Sequence, residues 1–166
     1  AVPSGAPAEW RPTLEDVIRE QEQPLLRYAA RIVRDHAAAQ DIVQTALIRL
    51  CRHWPALRAT PSRIVPWLYR TTHNAAVDYI RGEERHRKAT EDMAREAVPG
   101  DLTAETVDER RACVEAELNR LSPGEREVLL LRLDAGLSYR QIAEITGRTV
   151  GNVGCLLHHA VRRIAA

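Results

Sequence analysis

Residues 121–153 read LSPGEREVLLLRLDAGLSYRQIAEITGRTVGNV, and this stretch decides the fold. It carries the same helix-start device twice, in Ser122-Pro-Gly-Glu125 and in Ser138-Tyr-Arg-Gln141. In each, the Ser oxygen accepts a first-turn backbone N–H, and the Glu or Gln three residues on reaches back to the cap. Pro123 adds a pre-set φ where no amide is needed. Helices are therefore predicted to start near Pro123 and Tyr139, with Ala135-Gly136-Leu137 as the turn between them. The second helix ends at Thr146-Gly147-Arg148, and Thr149 is placed to cap a last helix, Val150 to Ile164. Two crossed helices need a small residue at the crossing, a turn Gly able to take positive φ, and an apolar anchor. Ala143, Gly147 and Val153 supply all three. The pattern predicts a helix-turn-helix; the plainer alternative is a helical hairpin buried in a core.

In the last helix Val153, Leu157, Ala160 and Ile164 form the expected buried stripe. That leaves Gly151, Asn152, Cys155, His158 and Arg162 facing outward, where a recognition helix meets the major groove. Asn152 has the amide to read adenine, and Arg162 or Arg163 the charge to hold phosphate. The helix is poor in charge near its start, and Gly154 and Leu156 offer no side-chain hydrogen bonds, so modest affinity is expected.

Upstream, apolar residues recur at spacings of three and four. Leu25, Leu26, Ala29, Ile32 and Val33 place a helix over about Leu14 to Arg34, kinked or restarted at Pro24. Ile42, Val43, Ala46, Leu47, Leu50 and Trp54 place a second over about Ala38 to Trp54, followed by a loop at Pro55 to Pro61. A third runs from about Val65 to Arg81 or beyond, burying Leu68, Thr72, Ala75, Ala76, Tyr79 and Ile80, with Trp67 in the core. No strand-like alternation or internal repeat is visible.

Composition agrees with an all-α chain. The 166 residues are 45% hydrophobic but only 4% aromatic, with no Phe, so the core must be Leu, Ile, Val and Ala. Leu and Ala favour helix over strand. No apolar run approaches the roughly 18 residues of a membrane span, and the Pro- and Ala-rich start lacks the basic and apolar blocks of a signal peptide. Cys51, Cys113 and Cys155 are odd in number and far apart, which speaks for a reducing cytoplasm and against disulfides or zinc. The scattered histidines suggest no metal site. Nucleophile–base pairings and phosphate-cradling Gly loops are lacking too, so an enzyme is not expected, and no cofactor.

The net charge of +1 hides a division. Residues 63–88 carry net +3, whereas residues 89–109 carry net −6 with Pro99-Gly100 at their centre. Adjacent basic and acidic blocks imply separate surfaces with separate tasks. The expected organisation is a disordered tail at 1–12, a helical domain at 13–88, an acidic linker at 89–109 and the helix-turn-helix domain at 110–166.

Residues Leu121 to Arg132, Gly136 to Gly147 and Val150-Gly-Asn-Val153 together resemble region four of the extracytoplasmic-function (ECF) sigma factors of the sigma-70 family. Ala39-Gln-Asp-Ile-Val-Gln-Thr-Ala-Leu-Ile-Arg-Leu-Cys-Arg52 resembles the family's region 2.2, and Trp67 to Arg81 its regions 2.3 and 2.4. The resemblance covers about Leu14 to Ile164 in the family's order. It implies an alternative sigma factor that binds core RNA polymerase and directs promoter recognition, DNA melting and transcription initiation.

It also implies roles for residues. Asp41, Gln44 and Arg49, with Thr45 and Arg52 near them, fall where the family docks on the polymerase clamp of the β′ subunit; the β subunit is the other expected contact. Arg70, Asn74, Arg81, Arg85 and Lys88 form a polar stripe, with Val77 between them, that would capture the opened minus-ten strand. Asn74 matches the family's Asn beside the flipped base, and His73 next to it is placed in the same group. Unstacking a base costs a few kcal/mol, and the arginines supply salt-sensitive attraction to phosphate. Arg140, Thr149, Gly151, Asn152, Cys155, His158 and Arg162 would face the minus-thirty-five element. Many relatives carry bases where this chain has Gly154, Leu156, His159 and Val161, which shifts the expected load toward region two. The family's acidic linkers thread the polymerase's RNA path, and an anti-sigma factor is an expected partner. Two other readings share parts of this pattern: a helix-turn-helix regulator acting without polymerase, and a sigma-like protein serving only as an interaction partner.

Overall fold

A computed structural model describes residues 12–91 and 116–165. The expected tail up to residue 11, most of the expected acidic linker and residues 110–115 of the expected second domain, Cys113 among them, lie outside the described residues.

The first unit is three helices. α1 (Leu14–Val33) opens on a capping box, in which the Thr13 hydroxyl accepts from the Asp16 amide at 3.2 Å and Asp16 accepts from the Thr13 amide at 3.2 Å. It runs through Pro24 as one element and is not divided there. Arg34, at φ 57, closes it in the left-handed region, and the next residue, Asp35, caps α2 (His36–Leu57) through the Ala38 amide at 3.0 Å. α2 extends past the expected end at Trp54 and through Pro55, because the Arg58 amide still finds the Trp54 carbonyl at 2.9 Å. The expected loop shrinks to residues 58–60 and a short 3-10 turn, Pro61–Arg63. α3 (Ile64–Glu91) then runs on, so residues 89–91, expected in the linker, are helical.

α1, α2 and α3 bury one another's apolar stripes, with Leu25, Tyr28, Val43, Leu50, Ile64, Leu68 and Ala76 at the centre. Thr72 and Ala76 are buried as expected, whereas Ala75, Tyr79, Ile80 and Trp67 are only half-buried. Tyr69, which the periodicity left out, is fully buried and packs edge-on against Tyr28 with ring centroids 5.3 Å apart.

The second unit begins with a helical stretch at 116–120, followed by α4 (Pro123–Leu133), α5 (Tyr139–Thr146) and α6 (Val150–Ile164). Both predicted capping boxes form: Ser122 with Glu125, and Ser138 with Gln141. Gly136 at φ 63 turns the chain between α4 and α5, and Gly147 at φ 68 turns it between α5 and α6. Among the described residues there is no strand.

Four consecutive residues of α4, Val128 to Leu131, are buried. A helix that buries four neighbours in a row is apolar most of the way round. α4 serves two interfaces: it packs on α6 and α5, and it also meets α1, while α5 meets α3. The buried apolar residues of the two units thus form one continuous cluster.

Candidate nucleic-acid interface

α6 is held by its cap, in which the Thr149 hydroxyl accepts from the Asn152 amide at 3.2 Å. Thr149 therefore fixes the start of the helix that it was expected to serve as a DNA contact. Val153, Leu157 and Ala160 are buried under α6, and Gly151, Asn152, Cys155, His158 and Arg162 are exposed on its outer side. Ile164 departs from the expected stripe: at the last position of the helix it is 42% exposed. Of the two arginines considered for phosphate, Arg163 is engaged inside the protein, 3.4 Å from the Glu125 carboxylate and donating to the Arg120 carbonyl at 3.4 Å. Both side chains are exposed, so what sets Arg163 apart is these two contacts. Arg140, also exposed, pairs with Glu144 one turn on at 3.4 Å.

Of the unusual residues of α6, Leu156 acquires a structural reason, since it is half-buried against the core. A Cβ at Gly154 would make an ordinary contact with Tyr139 Cε2 at 3.8 Å, so neither space nor backbone requires glycine there. Val161 is 56% exposed. The Glu125 carboxyl is held below its ordinary value, first by the Ser122 amide it accepts from at 2.8 Å and then by the Ser122 hydroxyl.

On α3, Arg70, Asn74, Arg81, Arg85 and Lys88 are exposed along one face, with Val77 half-buried among them. Asp78 and Glu84 share an open depression with Arg81, Arg85 and Lys88, so carboxylates interleave the cations. His73 is not on this face. It is 8% exposed, with Nδ1 3.1 Å from the Tyr28 hydroxyl and 3.1 Å from Glu127 Oε1 of α4. One residue is about 100° of helix, which turns His73 away from Asn74 and onto the side of Tyr69 and Ala76. Its three-residue spacing from Ala76, expected in the core, was the legible sign.

On α2, Asp41, Gln44, Thr45, Arg49 and Arg52 are exposed. Ile48 lies among them and is 48% exposed, a residue that sequence reasoning passed over. Its signal was its place off the buried positions 42, 43, 46 and 50. Cys51 and Cys155 are free and exposed, and no group of three metal-ligating side chains converges among the described residues. None of the described helices is long and apolar enough to cross a membrane.

Comparison with known proteins adds independent findings. Residues 17–86 match the Sigma-70 region 2 family and residues 111–164 the Sigma-70, region 4 family. The chain is 31% identical over 150 residues to an RNA polymerase sigma-E factor of Streptomyces avermitilis, covering 90% of this chain and 82% of that one. It is 30% identical over 163 residues to the ECF RNA polymerase sigma factor SigL of Mycobacterium tuberculosis, covering 97% and 92%. Among solved structures it resembles the sigma factor RpoE in complex with the anti-sigma factor NepR from Bartonella quintana, with a TM-score of 0.65 at 20% identity over 90% of this chain and 92% of that one. It also resembles CnrH in complex with the cytosolic domain of CnrY, with a TM-score of 0.60 at 19% identity, covering 92% and 84%.

Proposed function

The chain belongs to the sigma-70 family of RNA polymerase sigma factors, in its ECF branch, and on that premise we propose that it binds core RNA polymerase and directs promoter recognition, DNA melting and transcription initiation. The observation that carries the reading is the presence, in one chain and in the family's order, of a three-helix unit with an exposed basic stripe and a fully capped helix-turn-helix. The first could grip an opened strand and the second a duplex groove. A regulator acting on an operator alone needs only the second.

The exposed face of α2 is the proposed polymerase contact, with Asp41, Gln44, Thr45, Arg49 and Arg52 surrounding Ile48. A half-exposed Ile ringed by polar and charged residues suits a small interface with an apolar centre and a polar rim. Arg70, Asn74, Arg81, Arg85 and Lys88 are the proposed minus-ten contacts, and His73 supports that helix from behind. Arg140, Thr149, Gly151, Asn152, Cys155, His158 and Arg162 are the proposed minus-thirty-five surface. Only Arg140 and Arg162 carry fixed charge there, and Arg140 is partly neutralised by Glu144. Promoter affinity therefore leans on α3.

The domain limits at 13–88 and 110–166, the acidic linker at 89–109, action in the cytoplasm and control by an anti-sigma factor belong to the same proposal. Run-off transcription with core polymerase on a genomic promoter library tests it. Transcripts from discrete start sites, dependent on this chain, are the expected result. Failure to associate with core enzyme at any salt concentration would refute it.

A further inference from the structure

Three arginines gather at the end of α1. Arg31 lies in its last turn and Arg34 at its C-cap, while Arg126 stands in the first turns of α4, which meets α1. Burial, and behind it the Arg34 and Arg31 cations, hold the Arg126 guanidinium below its ordinary value, so the three charges are close enough to act on one another. Among the described residues, the one carboxylate paired with any of them is Asp134, whose Oδ2 lies 3.4 Å from Arg31 Nη1. Three guanidiniums against one carboxylate leave the cluster at net +2. The neighbouring acids are turned elsewhere. Asp35 caps α2 through the Ala38 amide and accepts from the Tyr79 hydroxyl, and Glu127 faces His73 and Arg148.

Like charges this close repel, and two of the three are nonetheless held in a presented state. Arg126 Nε donates to the Leu118 carbonyl at 2.9 Å and Nη2 to the Leu121 carbonyl at 3.4 Å. These bonds fix the plane of the guanidinium, and Nη1 makes none among the described residues. Arg34 holds φ 57, the one positive φ of a non-glycine residue among those described, at a helix end where glycine is the usual choice. Its side chain is exposed and makes no hydrogen bond or ion pair among the described residues. Strained backbone of this kind persists where surroundings or function require it, and no partner within the described chain requires an arginine here.

We propose that Arg31, Arg34 and Arg126 form a binding site for a small phosphate-bearing anion of two or more charges. A planar guanidinium matches an edge of a phosphate with two parallel N–H bonds. A residual charge of +2 is met by a phosphate dianion and only half met by a carboxylate. Asp134 competes with the anion for Arg31 and so sets how tightly it is held. The site shares no residue with the exposed faces of α2, α3 and α6, so the inference goes beyond the proposed function and does not depend on it.

The test is isothermal titration of the full chain with inorganic phosphate and with pyrophosphate, joined to thermal melts at constant ionic strength. One site per chain is expected, and pyrophosphate at a hundred times its dissociation constant should raise Tm by about 5–10 °C. Arg34→Gly should bind tenfold more weakly or worse, yet its ligand-free Tm should equal or exceed the parent's, because glycine relaxes the left-handed cap. Its lost binding then cannot be lost folding. Asp134→Asn should tighten binding several-fold by freeing Arg31. Arg58→Ala removes the same charge at the other end of α2, a helix about 33 Å long, and should bind as the parent does. Absence of saturable binding of either anion by the parent would overturn the proposal. So would an unchanged affinity in Arg34→Gly, or an equal Tm rise in every variant, the mark of a general salt effect.

Discussion

Replacing Gly147 by Ala and Gly82 by Ala should move stability in opposite directions, although the chemical change is identical. Gly147 sits at φ 68 in the turn between α5 and α6, and a Cβ built there meets no atom within 4 Å. The penalty is therefore purely conformational. Holding an L-residue in the left-handed region costs about 1–2 kcal/mol, offset in part by the ~0.4–1 kcal/mol gained from restricting the unfolded chain. The net loss is about 1 kcal/mol. Gly82 lies inside α3 with the same open space around its Cβ but with no positive φ. Ala there gains ~0.5–1 kcal/mol from helix propensity. Because a chain of this size shifts its Tm by about 2–4 °C per kcal/mol, the two variants should differ from each other by roughly 3–8 °C. Calorimetry and urea titration measure both shifts, and Gly147→Asn, which tolerates the left-handed region better, should fall between Ala and Gly. Shifts of the same sign would refute the reasoning, because space around the Cβ would then matter more than φ.

Other outcomes follow from the same geometry. Asn74→Ala should weaken open-complex formation, read by permanganate footprinting, by tenfold or more while polymerase pull-down is unchanged; an unaltered footprint counts against its placement beside the flipped base. Arg162→Ala should lower DNA affinity and reduce the slope of log K against log salt by about one, whereas Arg163→Ala, which frees Glu125 and the Arg120 carbonyl, should appear first as lost stability. The lowered Glu125 carboxyl gives a pH signature. A carboxylate favoured in the fold contributes stability above its unfolded value, 4.5, and loses it as pH falls through the lower folded value. Between pH 5 and 3 the parent should therefore lose Tm more steeply than Glu125→Gln; parallel curves would show that the capping box is not the source.

The helix-turn-helix was legible almost residue by residue because its signals are local. Ser122 and Ser138 declare helix starts through atoms three residues away, and Gly136 and Gly147 declare turns through their own φ. The outward faces of α2 and α3 were legible for a similar reason, since helical period alone separates Asn74 from Leu68 and Asp41 from Val43. What was hidden is non-local. Nothing near His73 announces Glu127, more than fifty positions away in the chain, and Tyr69 and Tyr28 meet only once α1 and α3 pack. A helix end was misjudged where Pro55 was read as a stop, and a kink or restart was expected at Pro24. At Pro24 and Pro55 the chain runs on, because packing of the apolar stripe outweighs one missing amide hydrogen bond. Ile164 and Trp67 were assigned to the core by period, yet a stripe is buried only as far as another helix covers it.

The stripe on α3 also works as a ruler. From Arg70 to Lys88 the helix rises about 27 Å, at 1.5 Å per residue, which equals about eight nucleotide steps at ~3.4 Å. Its contacts thus carry a length and a phase as well as a charge. Inserting one residue after Val77 would keep every cation and lengthen the stripe by only about 1.5 Å, yet it would swing Arg81, Arg85 and Lys88 by about 100° out of line with Asn74. On the proposed minus-ten reading, the number of bases the stripe would hold in register follows from the spacing of its cations, and that number would change only in whole turns of helix.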